Sequence, residues 1–132
     1  MTLGYALLLP LHEWLHALAY RLLGFSRVSV VYRWRTLTAF CVADKAVLAS
    51  KQFWFVCLAP SIPINAILVL AIGFTAGVPR LLLSGALLLH LAAASGDVAL
   101  LNVLWLHRRT PLFTYDDVEA KTSRFVLWPD GA

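Results

Sequence analysis

Apolar residues fall into three long blocks, interrupted by few polar positions. The first runs from Leu3 to Leu23 and, at about 1.5 Å of helical rise per residue, covers about 30 Å, the thickness of one hydrocarbon core. Pro10 inside it removes a backbone hydrogen bond and predicts a kink, and Gly24 behind it predicts a C-cap. The second block, 52–76, contains Pro60, Pro63 and Asn65. Two prolines break the hydrogen-bond ladder of a span, which is tolerated where the freed backbone faces protein or a cavity. The third block, 81–106, follows a tight turn at Val78-Pro79-Arg80 and carries His90, Ser95-Gly96-Asp97 and Asn102.

Between the first two blocks the pattern changes. Arg27 to Arg35 partly alternates and is rich in β-branched and aromatic residues, and Thr36 to Val42 supplies a partner strand. A small β-hairpin is predicted at the membrane surface within 25–51, with Asp44 to Lys51 as a linker or short helix. The tail, 107–132, is mixed and polar, and Arg124 to Trp128 reads as a short strand or an interfacial anchor. The predicted fold is a single all-α membrane-embedded domain over 1–132, with three transmembrane helices (3–23, 52–76, 81–106) and a small cytoplasmic β-hairpin.

Composition strengthens this reading. The chain of 132 residues is 61% hydrophobic and 14% charged, with a mean hydropathy of +0.77. A soluble domain of this size does not need so much apolar side chain. Of the 11 Lys and Arg residues, only Arg80 lies between the second and third blocks; all others lie on the side of the hairpin and tail. The positive-inside rule puts that side in the cytoplasm and Met1 outside, in a multi-pass cell membrane. It also accounts for the net charge of +4 without nucleic acid, since no Lys/Arg cluster is interleaved with aromatics. Trp34, Trp54, Trp105 and Trp128 fit an aromatic belt. Cys41 and Cys57 form neither a disulfide framework nor a metal-ligand spacing. The first block has no charged leader region and no A-x-A site, so it is expected to be a retained span.

Chemistry enters at His12-Glu13-Trp14-Leu15-His16, an H-E-x-x-H inside the first block. On a helix the two imidazoles emerge from one face, one turn apart, a spacing that suits two ligands of one tetrahedral Zn²⁺. Glu13 stands beside them as a general base for a zinc-activated water. Ionisable groups are costly in a span and tend to mark function.

A catalytic zinc needs a third protein ligand. Ala19 stands where the longer H-E-x-x-H-x-x-G-x-x-H motif would have its glycine. The candidates are Asp44, His90, Asp97, His107, Asp116, Asp117 and Glu119. Counting rise from the cytoplasmic ends of the spans puts His16 about 10 Å deep, His12 about 16 Å and Asp97 about 13 Å, with His90 too deep at about 24 Å. Asp97 is therefore the expected third ligand, and Gly96 beside it is expected to permit close helix approach. His90 reads either as a packed histidine or as a cavity residue that hydrogen-bonds a substrate carbonyl. Asn65 reads either as a substrate or oxyanion group or as a partner for backbone freed by the prolines. Ser95 and Asn102 read as interhelical hydrogen-bonding groups.

These residues resemble the site-2 protease family of intramembrane zinc metalloproteases, and most closely the small zincin peptidases related to it. His12-Glu13-x-x-His16 lies in the first span, Ala59-Pro60 followed by Asn65 is similar to the Gly-Pro-x-x-Asn of many relatives, and Ser95-Gly96-Asp97 lies in the third span, where the family places its aspartate ligand. The resemblance covers residues 3–106. Two features depart from it: the Asp-Gly order of larger members is Gly96-Asp97 here, and Asn65 is spaced differently from Pro60. The resemblance implies a membrane-embedded metalloendopeptidase with Zn²⁺ on His12, His16 and Asp97, and Glu13 as catalytic base. Its expected partners are a membrane protein or peptide substrate, the bilayer and a second copy of the chain. The family's PDZ-type filtering domains are not expected. The alternatives are a metal-binding membrane protein without catalysis, a sensor or metal handler, which has no use for Glu13, and a structural subunit with no metal.

Overall fold

The computed structural model describes residues 2–33, 38–110, 112–117 and 122–127. Helix α1 spans Thr2–Leu22 and is continuous through Pro10. It ends on Gly24, whose φ of 93° is open to glycine at no steric cost. The Gly24 N–H donates to Arg21 and the Phe25 N–H to Tyr20, and the rings of Tyr20 and Phe25 meet edge to face at 6.0 Å. This double hydrogen bond with its apolar contact is a Schellman stop, and it turns the chain sharply into the first strand.

Strands β1 (Val28–Arg33) and β2 (Thr38–Ala43) pair antiparallel, with Val30 opposite Cys41. The connection between them, including Trp34 and Arg35, lies outside the described residues. The expected linker or short helix after β2 is instead a turn and a strand, β3 (Val47–Ala49). Asp44 donates its N–H to Arg27 and Ala46 to Ala43, which closes the turn. The tail departs further from expectation. Strands β4 (Leu112–Asp117) and β5 (Thr122–Leu127) form a hairpin that completes a three-stranded sheet in the order β3-β4-β5. The molecule is therefore mostly helical rather than all-α, because short β-branched and aromatic runs at 47–49, 112–117 and 122–127 find one another as partners. Glu119, Lys121 and Trp128 lie outside the described residues.

Helix α2 spans Ser50–Phe74 and continues through both prolines. Gln52 reaches back with Oε1 to accept the Ala49 N–H at 3.0 Å, one half of a capping box. The third block is not one helix. Helix α3 (Gly77–Ala93) already includes Val78-Pro79-Arg80 in its first turn, where a proline costs no hydrogen bond. The chain bends by 45° at Ala94, and α4 (Ser95–Leu106) follows. The Ser95-Gly96 pair at the break combines two weak helix formers, a usual cause of a sharp kink. A Cβ added to Gly96 would meet nothing within 4 Å among the described residues, so Gly96 does not serve a close helix approach there.

The buried core lies where the C-terminal turns of α1, the start of α2 and the end of α4 meet the strands. Tyr20, Leu48, Phe53, Val56, Leu104 and Leu112 are its principal members. The far half of α2 and the length of α3 instead expose large apolar side chains, among them Ile62, Ile67, Leu70, Phe74, Leu81 and Leu88. Among the described helices, α2 alone is long and apolar enough to cross a membrane by itself, and α3 with α4 qualifies if the bent pair counts as one span. Helix α1 is nearly as long but carries His12, Glu13, His16 and Arg21, and it does not qualify.

Candidate metal centre

Helical periodicity places His12 and His16 on one face of α1, their rings 4.8 Å apart and nearly perpendicular. The bend at Ala94 starts a new helix, and Asp97 is the third residue of its first turn. A carboxylate there is favoured by the unpaired N–H groups of a helix start. Three atoms converge. His12 Nε2 lies 3.1 Å from His16 Nε2 and 3.1 Å from Asp97 Oδ2, and His16 Nε2 lies 3.3 Å from the same carboxylate oxygen.

The outer ring nitrogens decide what these atoms carry. His16 Nδ1 is 2.9 Å from the carbonyl oxygen of Val56, which only accepts, so the proton of a neutral His16 sits on Nδ1. His12 Nδ1 is 3.1 Å from His90 Nε2, and His90 Nδ1 is 2.8 Å from Asn65 Oδ1. The amide oxygen again only accepts. It puts the His90 proton on Nδ1, leaves His90 Nε2 as acceptor and puts the His12 proton on Nδ1. Both Nε2 atoms then turn lone pairs toward each other and toward a carboxylate. Three electron-rich atoms this close are held together by a proton on one imidazole or by a metal cation among them. Tetrahedral zinc with N and O ligands at about 2.0–2.1 Å separates its ligand atoms by about 3.3 Å, and the observed spacings fit one face of such a site. Among the described residues, these three form the group able to hold a metal.

Glu13 is buried and its Oε2 accepts the backbone N–H of Cys41 at 2.6 Å. Strand β2 therefore fixes the carboxylate of α1 by its main chain. Glu13, His16 and Asp97 line a cleft of about 250 Å³, whose other walls include Tyr20, Thr114 and Phe125. The Thr114 hydroxyl is buried there with no hydrogen-bond partner among the described residues. Cys41 and Cys57 also line the cleft, without a disulfide and outside the converging group.

The structure corrects several expectations. His90 was expected to lie far deeper than His12, yet the two rings are in contact, because the bend between α3 and α4 undoes the straight-helix depth count. His90 is 2% exposed and, like Asn65, does not line the cleft; both lie behind His12. Ser95 and Asn102 are exposed rather than held between helices. His107 donates to the Val103 carbonyl at the end of α4 and is not part of the converging group. Asp44 sits in the β2–β3 turn, and Asp116 and Asp117 lie at the end of β4. Sequence reasoning missed Thr114 and Phe125, which only the pairing of the tail with β3 brings to the cleft.

Two helices present imidazoles and a carboxylate to one point, with a second carboxylate beside it, an arrangement that suits a metal site of the zincin kind. Residues 5–111 match the family described as "Putative zincin peptidase", and the chain belongs to that family. The match contains both histidines, Glu13 and Asp97 and stops before β4 and β5. No curated protein and no solved structure gives a match.

Proposed function

We propose that the chain is an intramembrane zinc metalloendopeptidase, organised like the site-2 proteases, that cuts transmembrane or membrane-proximal segments. The observation that carries this reading is the convergence of His12 Nε2, His16 Nε2 and Asp97 Oδ2 beside a cleft that His16 and Asp97 line together with Glu13. His12, His16 and Asp97 would hold the zinc, which when bound would supply the Lewis acidity that makes water a nucleophile near neutral pH. Glu13 takes the proton of the attacking water and delivers it to the leaving amine. Its bond to Cys41 keeps the carboxylate aimed into the cleft while it does so. The unpartnered Thr114 hydroxyl is the donor available to a substrate carbonyl.

Membrane embedding is supported by the exposed apolar side chains of α2 and α3 and by the span-like length of α2. Trp54 and Trp105 pack edge to face at 6.5 Å, with Arg108 over the Trp105 ring, as residues at a headgroup boundary do. In this reading the strands face the cytoplasm, and water enters the cleft from that side. A substrate helix hides its carbonyls and must unwind. The β1–β2 hairpin, whose Cys41 N–H fixes Glu13, would hold the extended segment by strand addition.

Cleavage of a transmembrane reporter by the purified chain in lipid vesicles tests the reading. A reporter with helix-breaking residues near the cut should be cleaved faster than a leucine-rich one. Equal rates on both, or cleavage of soluble peptides alone, would remove the intramembrane assignment.

A further inference from the structure

The stretch from Pro60 to Asn65 on α2 has no part in the cleft, yet it bears on both histidines of the converging group: Asn65 is linked to His12 through His90, and His16 bonds the carbonyl of Val56, four residues before Pro60. The tie to His16 follows from helix arithmetic. In an α-helix the N–H of residue i donates to the carbonyl of residue i−4. Pro60 has no N–H, so the carbonyl of Val56 loses its partner inside α2. Pro60 and Val56 are both buried, and a buried orphan carbonyl needs a donor. His16 Nδ1 is that donor, at 2.9 Å. The tie to His12 runs through one more side chain. Asn65 Oδ1 accepts from His90 Nδ1 at 2.8 Å, and His90 Nε2 accepts from His12 Nδ1 at 3.1 Å.

We propose that the Pro60–Asn65 stretch of α2 is the positioning element of the metal centre: Pro60 frees the carbonyl that orients His16, and Asn65 orients His12 through His90. The inference rests on the zinc reading above. It gives Asn65 and His90 a task different from substrate or oxyanion binding. It also accounts for a proline in the interior of an apolar helix. Each ligand imidazole is held in the tautomer that turns its Nε2 lone pair to the metal, by an acceptor on the opposite side of the ring. Partners of this kind typically change metal affinity by about 10- to 100-fold when removed.

The test is zinc affinity, measured by competition with a chromophoric chelator on the purified chain in detergent. The variants are Pro60→Ala, Asn65→Leu and Asn65→Asp. Pro60→Ala restores an N–H that competes for the Val56 carbonyl. It should weaken zinc binding by about 10- to 100-fold while the thermal midpoint of the metal-free protein stays the same or rises. A merely structural proline predicts that rise with no change in affinity. Asn65→Leu should weaken binding by a similar factor, whereas Asn65→Asp keeps an acceptor for His90 and should bind at least as tightly as the wild type. Each variant should still take up one zinc at saturation, about as the wild type does. Wild-type affinity in both Pro60→Ala and Asn65→Leu would overturn the proposal. So would an Asn65→Leu variant that binds zinc normally but cleaves a reporter with a lowered kcat, which is the signature of an oxyanion role. If Asn65→Leu does not fold, the Pro60→Ala and Asn65→Asp pair carries the test. Absence of zinc from the wild type would instead defeat the metal-site reading and this inference with it.

Discussion

Glu13 on α1 and Cys41 on β2 are joined by a 2.6 Å hydrogen bond from the strand's main chain to the carboxylate. The bond holds the proposed base in a conformation that two covalently distant elements must agree on. A hydrogen bond to a charged group contributes about 1.5–3 kcal/mol. Cys41→Pro removes the donor and should lower kcat on a reporter by about 10- to 100-fold, with zinc content unchanged. Cys41→Ala keeps the N–H and should retain most of the activity. Loss of zinc in Cys41→Pro would show instead that β2 supports the metal site as a whole.

Asp97 supplies the only carboxylate oxygen of the converging group among the described residues. Asp97→Ala should leave two neutral imidazoles, too few for a structural or catalytic zinc site. Metal analysis after dialysis should find essentially no zinc in this variant. Stoichiometric zinc in Asp97→Ala would mean that another group completes the site.

The tail hairpin is built into the fold. Leu48 on β3 is fully buried, and its strand is paired to β4. Phe125 on β5 meets Phe53 of α2 edge to face at 6.4 Å. Leu48→Ala should cost about 2–5 kcal/mol of unfolding free energy, read from denaturant titration in mild detergent. Phe125→Ala, at an exposed contact, should cost much less but alter the substrate preference of the cleft it lines. Equal stability of Leu48→Ala and wild type would show that the sheet is dispensable.

Ile62 lies at the middle of α2 and is 62% exposed. If that face meets lipid, Ile62→Arg should raise the cost of insertion by about 2.5–3.5 kcal/mol. An insertion assay with glycosylation reporters on the flanking segments reads this directly. Unchanged insertion would argue that α2 packs against protein on that face.

The legible parts of the sequence were those ruled by local rules. The spacing of His12 and His16, the stop at Gly24 and the antiparallel partner for Val28–Arg33 follow from helix period, glycine conformation and strand composition. Ser95-Gly96 marks the break at Ala94, but the same pair also reads as a close-approach signal, and a straight helix through it puts His90 far from His12. Val47–Ala49 was illegible as a strand because three residues carry no period and the partner is more than sixty residues away. The cleft walls at Thr114 and Phe125 depend on that same distant pairing. The carbonyl that receives His16 could have been found by counting back four from Pro60.

The central claim is that His12, His16 and Asp97 hold zinc for hydrolysis driven by Glu13. The most direct measurement takes zinc content and reporter cleavage from the same preparations of wild type and Glu13→Gln. The account predicts about one zinc per chain in both, with cleavage by the wild type and none by Glu13→Gln. A wild type without zinc would contradict the metal site. Zinc in both with equal cleavage would contradict the role of Glu13, and zinc in both with no cleavage by either would favour a metal-binding membrane protein without catalysis.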